Sequence, residues 1–137
     1  MPVRIYADTC AAAKLFVAEP ETLDLRQWLR GQDEPSLVSS ALLGVELIRL
    51  LRLARPAALP DAERFLSTDI DIVQVTPTIL ADAARVSPAR LRTLDAIHLA
   101  TALDLGSAIT VMLCYDKRLA QAAQAAGLRV AHPGSAL

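Results

Sequence analysis

Apolar positions along the chain follow two rhythms, short dense runs and longer stretches at helical spacing. Val3, Ile5, Tyr6 and Ala7 form a near-continuous apolar run, the pattern of a strand covered on both faces. Asp8 follows directly, and the helical composition after it predicts a helix over residues 9–17, ended near Pro20. A second helix is predicted over 21–30, acidic at its start, basic at its end and stopped by Gly31. Residues 35–39 read as a short strand, with Ser39 or Ser40 capping a helix over 41–55 that Pro56 stops. Pro60 starts a short helix over 61–66, the β-branched segment 70–75 reads as strand, and Pro77 opens a helix to about Val86. A turn at 87–90 leads to a helix over 93–105 closed by Gly106, then to an apolar strand over 108–113. Asp116 caps a helix that runs to Ala126 and ends at Gly127, ahead of a short strand over 128–130.

Strands alternating with helices imply a mostly parallel sheet with right-handed crossovers and helices on both faces, a three-layer α/β/α sandwich. A chain of 137 residues suits one domain spanning 1–137. With 53% hydrophobic residues but only 4% aromatic ones, the core must be built of Leu, Ala, Val and Ile. The formal net charge of −1 excludes a protein that coats itself in nucleic acid through bulk charge, so any such contact must be local. Cys10 and Cys114 have neither zinc-site nor disulfide-framework spacing and read as reduced thiols of the cytoplasm. Met1-Pro2-Val3-Arg4 leads into a strand rather than into a secretory signal, and the longest apolar segment, 41–54, carries Glu46, Arg49 and Arg52, so no membrane span is expected.

Four acids carry the candidate chemistry. Asp8 ends a strand where a helix begins, the edge at which ligands bind in open parallel α/β sheets, although Asp there also serves as a plain N-cap. Asp116 repeats that setting after the strand over 108–113. Glu46 falls in a helical stripe with Leu42, Leu43, Leu50 and Leu53, where a carboxylate needs a partner, a cation or a raised pKa; a marginal position paired with Arg49 or Lys14 is the ordinary alternative. Asp95 lies in the first turn of its helix, where the dipole favours an anion, and Leu91 and Leu99 flank it so as to turn it inward. Four such carboxylates with no Lys or Arg locked among them repel one another unless cations relieve them, and removing any one is expected to leave the fold intact or stabilised. Oxygen-only ligands suit Mg²⁺ or Mn²⁺ better than zinc, and such a site can activate water against a phosphodiester.

Tyr6-Ala7-Asp8-Thr9, Glu46 after Val38-Ser39-Ser40, the run Leu94-Asp95-Ala96-Ile97-His98-Leu99-Ala100-Thr101-Ala102, and Cys114-Tyr115-Asp116-Lys117-Arg118-Leu119 occur in that order. In this ordered set the chain resembles the PIN-domain ribonucleases, and among them the toxins of VapC-type toxin–antitoxin pairs, over nearly its whole length. The resemblance implies an α/β/α sandwich, a metal-dependent endoribonuclease with RNA as substrate, a homodimer, and a cognate antitoxin whose C-terminal segment blocks the site. It also implies that Asp8, Glu46, Asp95 and Asp116 are the catalytic, metal-holding acids. Cys10 stands where the family often has Ser or Asn, and Cys114 where it often has Thr or Ser; a thiol is a poorer hydrogen-bond donor than those groups.

Rival readings are an aspartate-nucleophile phosphatase built on Asp8 and a binding domain of the same fold whose site has decayed. Cys10 occupies the place of the phosphatase pattern's second Asp, and no Lys ends a late strand as a phosphate partner. The presence of all four acids argues against decay. His98 reads as a neutral core or supporting histidine rather than a general base, since it has no placed nucleophile. His132 lies in the tail and carries no signal. Arg49, Arg52, Arg90, Arg92, Lys117 and Arg118 are candidates for a basic rim that meets RNA phosphates, or else ordinary solvated positions.

Overall fold

The computed structural model describes residues 1–137. Its centre is a five-stranded, all-parallel sheet made of β1 (Arg4–Ala7), β2 (Ser36–Ser40), β3 (Ile70–Val73), β4 (Val111–Leu113) and β5 (Val130–Ala131), in the order β3-β2-β1-β4-β5. Around it lie α1 (Thr9–Ala13), α2 (Thr22–Arg30), α3 (Leu42–Ala54), α4 (Leu59–Arg64), α5 (Pro77–Ala83), α6 (Thr93–Leu105) and α7 (Lys117–Ala125). The three-layer α/β/α sandwich expected from the alternating elements is thus the observed one.

Strand periodicity sorts the core. Ile5, Ala7, Val111 and Leu113 point to one face and pack with Ala11 and Leu25, beneath α1 and α2. Beside them, Leu43, Leu47 and Leu51 of α3 pack with Ala12, Phe65 and Ile70. Tyr6, Val38 and Met112, the alternate positions of the same strands, point to the opposite face and pack against α5, α6 and α7. Within α6, residues Ala96 to Ala102 are all buried, so this helix is enclosed on every side instead of showing one apolar stripe.

The sheet order places a switch point between β1 and β4. From β1 the chain winds outward through β2 and β3, and β4 and β5 then fill the other side. At such a point the connections leave in opposite directions and open a crevice beyond the carboxyl ends of the strands. Asp8 follows β1 at this crevice, donating its N–H to Leu113 O at 3.3 Å, and Asp116 follows β4.

Several boundaries differ from expectation for local reasons. Helix α1 stops at Ala13 rather than residue 17, because the N–H groups of Lys14, Leu15 and Phe16 bond three residues back and tighten the turn. The Thr22 hydroxyl then donates to Lys14 O at 2.9 Å. Helix α4 begins at Leu59 and passes into one wide turn over Phe65–Asp69, so β3 starts at Ile70 as expected but ends at Val73. Helix α5 ends at Ala83, short of residue 86. Gly106, at φ +52°, closes α6 into a short turn, which shortens β4 to Val111–Leu113, and β5 begins at Val130 rather than residue 128 and ends at Ala131. On α3 the buried stripe is Leu43, Leu47 and Leu51, while Leu53 is 90% exposed. Leu53 therefore does not share a face with Glu46 in the core, and Glu46 lies at the margin of the stripe.

Leu47→Ala is expected to lose about 2–5 kcal/mol in denaturant unfolding, as for other fully buried leucines, whereas Leu53→Ala stays within about 0.5 kcal/mol. Equal losses would contradict the orientation of α3.

Candidate active site

Asp8 leaves β1 in extended conformation and caps α1, its Oδ1 accepting the Ala11 N–H at 2.9 Å. It is 3% exposed. Burial is the main cause that pushes its pKa up to about 6, and the charge of Asp95 adds to it, against the Ala11 and Cys114 hydrogen bonds and the charge of His98. Asp116 caps α7 in the same way, Oδ1 accepting the Leu119 N–H at 2.9 Å. For both residues the capping role and the strand-end placement hold together, so one side chain serves local structure and the crevice at once.

Asp95 lies in the first turn of α6, half-buried, and its pKa is raised first by burial and then by the charges of Asp116 and Glu46. Leu91 is buried as expected but precedes the helix rather than sharing its face. Cys10 lies exposed at the mouth of the crevice; partial burial and then the charges of Asp8, Asp116 and Asp95 push its thiol up to about 11. Burial and the carboxylates also raise the buried Cys114 thiol, which donates to Asp116 O at 3.6 Å. The structure thus brings all four acids into one field: Asp8 responds to Asp95, and Asp95 to Asp116 and Glu46.

Glu46 has a partner that its sequence neighbours did not suggest. Neither Arg49 nor Lys14 pairs with it; Lys14 instead binds Glu19 at 2.8 Å and Glu21 at 3.4 Å. Glu46 Oε1 accepts from His98 Nε2 at 2.8 Å and from the Thr9 hydroxyl at 2.7 Å. Burial acts to raise the Glu46 pKa, but the hydrogen bonds from His98 and Thr9, with the His98 charge, outweigh it and hold the group below the ordinary glutamate value. His98 is 1% exposed, and its Nδ1 lies 2.7 Å from Tyr6 Oη. Nε2 thus serves Glu46 while Nδ1 meets the Tyr6 phenol. Tyr6 on β1, His98 on α6 and Glu46 on α3 therefore form a relay across three elements. His98 is the supporting histidine expected from the sequence. What sequence reasoning missed is Tyr6, whose only signal was a phenol in a fully buried strand, a group that needs a polar partner.

As the side chains stand, no three His, Cys, Asp or Glu donors converge closely enough to hold one ion by themselves. The donor chemistry nevertheless fits a hard divalent cation. Mg²⁺ keeps several waters and takes only one or two carboxylates, and Asp8 and Asp95 here carry negative charge that burial penalises and that no Lys or Arg ion-pairs, the charge of Arg92 offsetting only part of it at Asp95.

Acids from the ends of β1 and β4 and from α3 and α6 thus stand about the switch-point crevice of a parallel sheet, the edge at which ligands bind in such folds. The PIN domain model matches residues 5–125. Ribonuclease VapC47 of Mycobacterium tuberculosis is 38% identical over 134 residues, 96% of this chain and 98% of that protein. Ribonuclease VapC35 of the same organism is 40% identical over 134 residues, again 96% and 98% of the two chains. The chain belongs to the PIN-domain family, among the VapC ribonucleases. Its fold is similar to that of M. tuberculosis VapC20, described as a sarcin–ricin loop cleaving toxin (TM-score 0.69, 22% identity, 90% and 95% of the two chains). It is also similar to a chain of a toxin–antitoxin complex from Klebsiella pneumoniae (TM-score 0.66, 18% identity, 94% and 97%).

Asp8 makes stability depend on pH. Its folded pKa lies above the ordinary 3.8, so between about pH 4 and 6 the folded state keeps a proton that the unfolded state has released. Stability from this group is greatest below that window, falls through it, and at neutral pH is lower by roughly 3 kcal/mol. Asp8→Asn is expected to melt with wild type near pH 4 and progressively higher above it; a constant difference across the range would refute the assignment. Glu46 behaves oppositely, because its removal leaves the buried His98 N–H without an acceptor. A double-mutant cycle of Tyr6→Phe with Glu46→Ala, measured by denaturant unfolding, is expected to couple by at least about 0.5 kcal/mol although the two share no hydrogen bond. Additive losses would break the relay.

Proposed function

We propose that this chain is a divalent-cation-dependent endoribonuclease acting on RNA, the toxin of a toxin–antitoxin pair, with Asp8, Glu46, Asp95 and Asp116 as its catalytic, metal-holding acids. The observation that carries this reading is that these acids come from separate elements to the same sheet edge, where Asp95 raises the cost of ionising Asp8, and Asp116 and Glu46 raise that of Asp95, with no Lys or Arg ion-paired to them. When bound there, Mg²⁺ or Mn²⁺ supplies Lewis acidity and neutralises charge on a phosphodiester displaced in line.

The chain's own groups prepare that chemistry. Glu46 has Oε1 fixed by Thr9 and His98, which orients the group and leaves Oε2 for the crevice. Asp116 and Asp8 each hold one oxygen on a backbone N–H and so cannot swing away. Ser39 donates to Ala7 O at 2.6 Å and ties β2 to the end of β1 beside Asp8. A metal-free route through the RNA 2′-hydroxyl needs an acid and a base on either side of the phosphate. His98 is enclosed between Tyr6 and Glu46, and His132 faces Ser135 O at 2.8 Å, so neither is placed for it.

A cognate antitoxin and a second copy of the chain are the proposed protein partners, and the cytoplasm the proposed compartment. No helix is long and apolar enough to cross a membrane. Val45 and Leu53 are large apolar side chains left exposed on α3, apolar surface of the kind protein partners cover.

Purified protein with Mg²⁺ or Mn²⁺ is expected to cut RNA to 5′-phosphate and 3′-hydroxyl ends, to stop in chelator, and to melt higher with the metal. Asp95→Asn is expected to lose the cleavage while keeping the fold, and His98→Gln to keep measurable cleavage. Recovery of 2′,3′-cyclic phosphate ends, or full activity of Asp95→Asn, would overturn the proposal.

A further inference from the structure

A cleft of about 630 Å³ lies between residues 87–91, which feed α6, and one stripe of α7. Arg118, Gln121, Ala122 and Ala125 recur along α7 at helical spacing and face Pro88, Arg90 and Leu91 across it. The cleft and the acidic crevice draw on the same two elements, α6 with the segment before it, and α7. Arg118 is in the first turn of α7, directly after the Asp116 cap, and Arg90 precedes α6, whose first turn carries Asp95.

Four other arginines are engaged within the chain: Arg4 on Asp71, Arg26 on Leu15 O, Arg55 on Phe16 O and Arg64 on Asp61. Neither Arg90 nor Arg118 makes an ion pair. An RNA strand that must set one phosphate among four carboxylates is repelled by them and gains nothing from a chain of net charge −1. Cations just outside the crevice are what can hold it. Pro88, Leu91, Ala122 and Ala125 give the cleft an apolar floor between its two guanidinium groups, a surface suited to a ribose or a base face.

Resting on the ribonuclease reading above, we infer that this cleft is an RNA-binding subsite, in which Arg90 and Arg118 hold backbone phosphates of the strand next to the bond that is cut. The structure thereby divides the six basic residues considered from the sequence. Arg90 and Arg118 share this cleft, Arg49 and Arg52 share one face of α3, Lys117 borders a separate depression beside His132, and Arg92 stands at the start of α6, where its charge acts on Asp95. Phosphate contacts position a strand without reading its bases, so the subsite sets where the RNA lies and leaves the choice of sequence to other groups.

The test uses the full chain carrying Asp8→Asn to stop cleavage, and a fluorescent single-stranded RNA of mixed sequence titrated by anisotropy between 50 and 200 mM KCl. Arg90→Ala/Arg118→Ala is expected to weaken binding for unrelated sequences alike. The slope of log affinity against log salt should become shallower by about 1.4, two contacts at about 0.7 each on a single strand. Arg30→Ala/Arg129→Ala, which removes two exposed arginines that precede β2 and β5 at the opposite edge of the sheet, should change neither quantity. With Asp8 restored, the Arg90/Arg118 variant should raise KM and leave kcat unchanged. An unchanged slope and KM overturn the inference, as does RNA binding that stays intact while dimerisation or antitoxin binding is lost, which would make the cleft a protein surface. The two readings fail separately. Arginine-dependent RNA binding without metal-dependent cleavage removes the enzyme and keeps the subsite, and cleavage abolished by Asp95→Asn but indifferent to both arginines does the reverse.

Discussion

Negative charge held out of water at the carboxyl edge of the sheet is the constraint around which this molecule is arranged. Asp8 follows the central strand, where packing on both faces leaves little solvent, and its pKa rises to about 6 in consequence. Such a group is tolerated because its Oδ1 accepts the Ala11 N–H and so caps α1. Asp116 caps α7 as Asp8 caps α1, so two strand ends beside the switch point each turn a helix start into an acid at the same sheet edge. Stability is given up locally, at Asp8, for negative charge held at the sheet edge.

Glu46 and His98 solve the opposite problem. A carboxylate at the margin of the α3 stripe and an imidazole inside an enclosed helix would each be costly alone. Together with Tyr6 and Thr9 they satisfy one another, and no buried side-chain polar atom in the chain is left without a partner. Because the relay joins β1, α6 and α3, any shift of one layer against another is felt at Glu46. That is how a site drawn from distant parts of the sequence keeps its geometry without a disulfide or a tight cluster of charges.

The two cysteines mark where this chain departs from the pattern usual in its family. Cys114 is sealed beside Asp8 and Asp116 and acts as a small apolar filler with a weak donor. Cys10 is open to solvent at the mouth, yet partial burial of its sulfur and then the surrounding acids push its thiol up to about 11, which keeps its nucleophilicity low. Neither replaces the hydroxyl that often stands there, and the Thr9 hydroxyl is spent on Glu46. Arg90 and Arg118, neither of them ion-paired, line a separate cleft between residues 87–91 and α7.

Much of the fold was legible in the sequence because strand burial on two faces, helix caps and Gly or Pro stops are local signals, and Asp8, Asp95 and Asp116 announce themselves by standing at element ends. The sandwich and the order of acids follow from these alone. Boundaries shifted where the competing force was tertiary. Thr22 captures the carbonyl at the end of α1, and the wide turn after α4 aims β3 into the sheet. Leu53 satisfied the helical period but not the burial, since periodicity states which residues share a face and cannot say which face meets the core. The partner of Glu46 was also beyond reach: its nearest charged residues in sequence are arginines, whereas the group that binds it is 52 positions away on α6. Only the packing of α3, α6 and β1 about one crevice decides that pairing, because hydrogen bonds are short and the chain brings these three side chains together solely by folding.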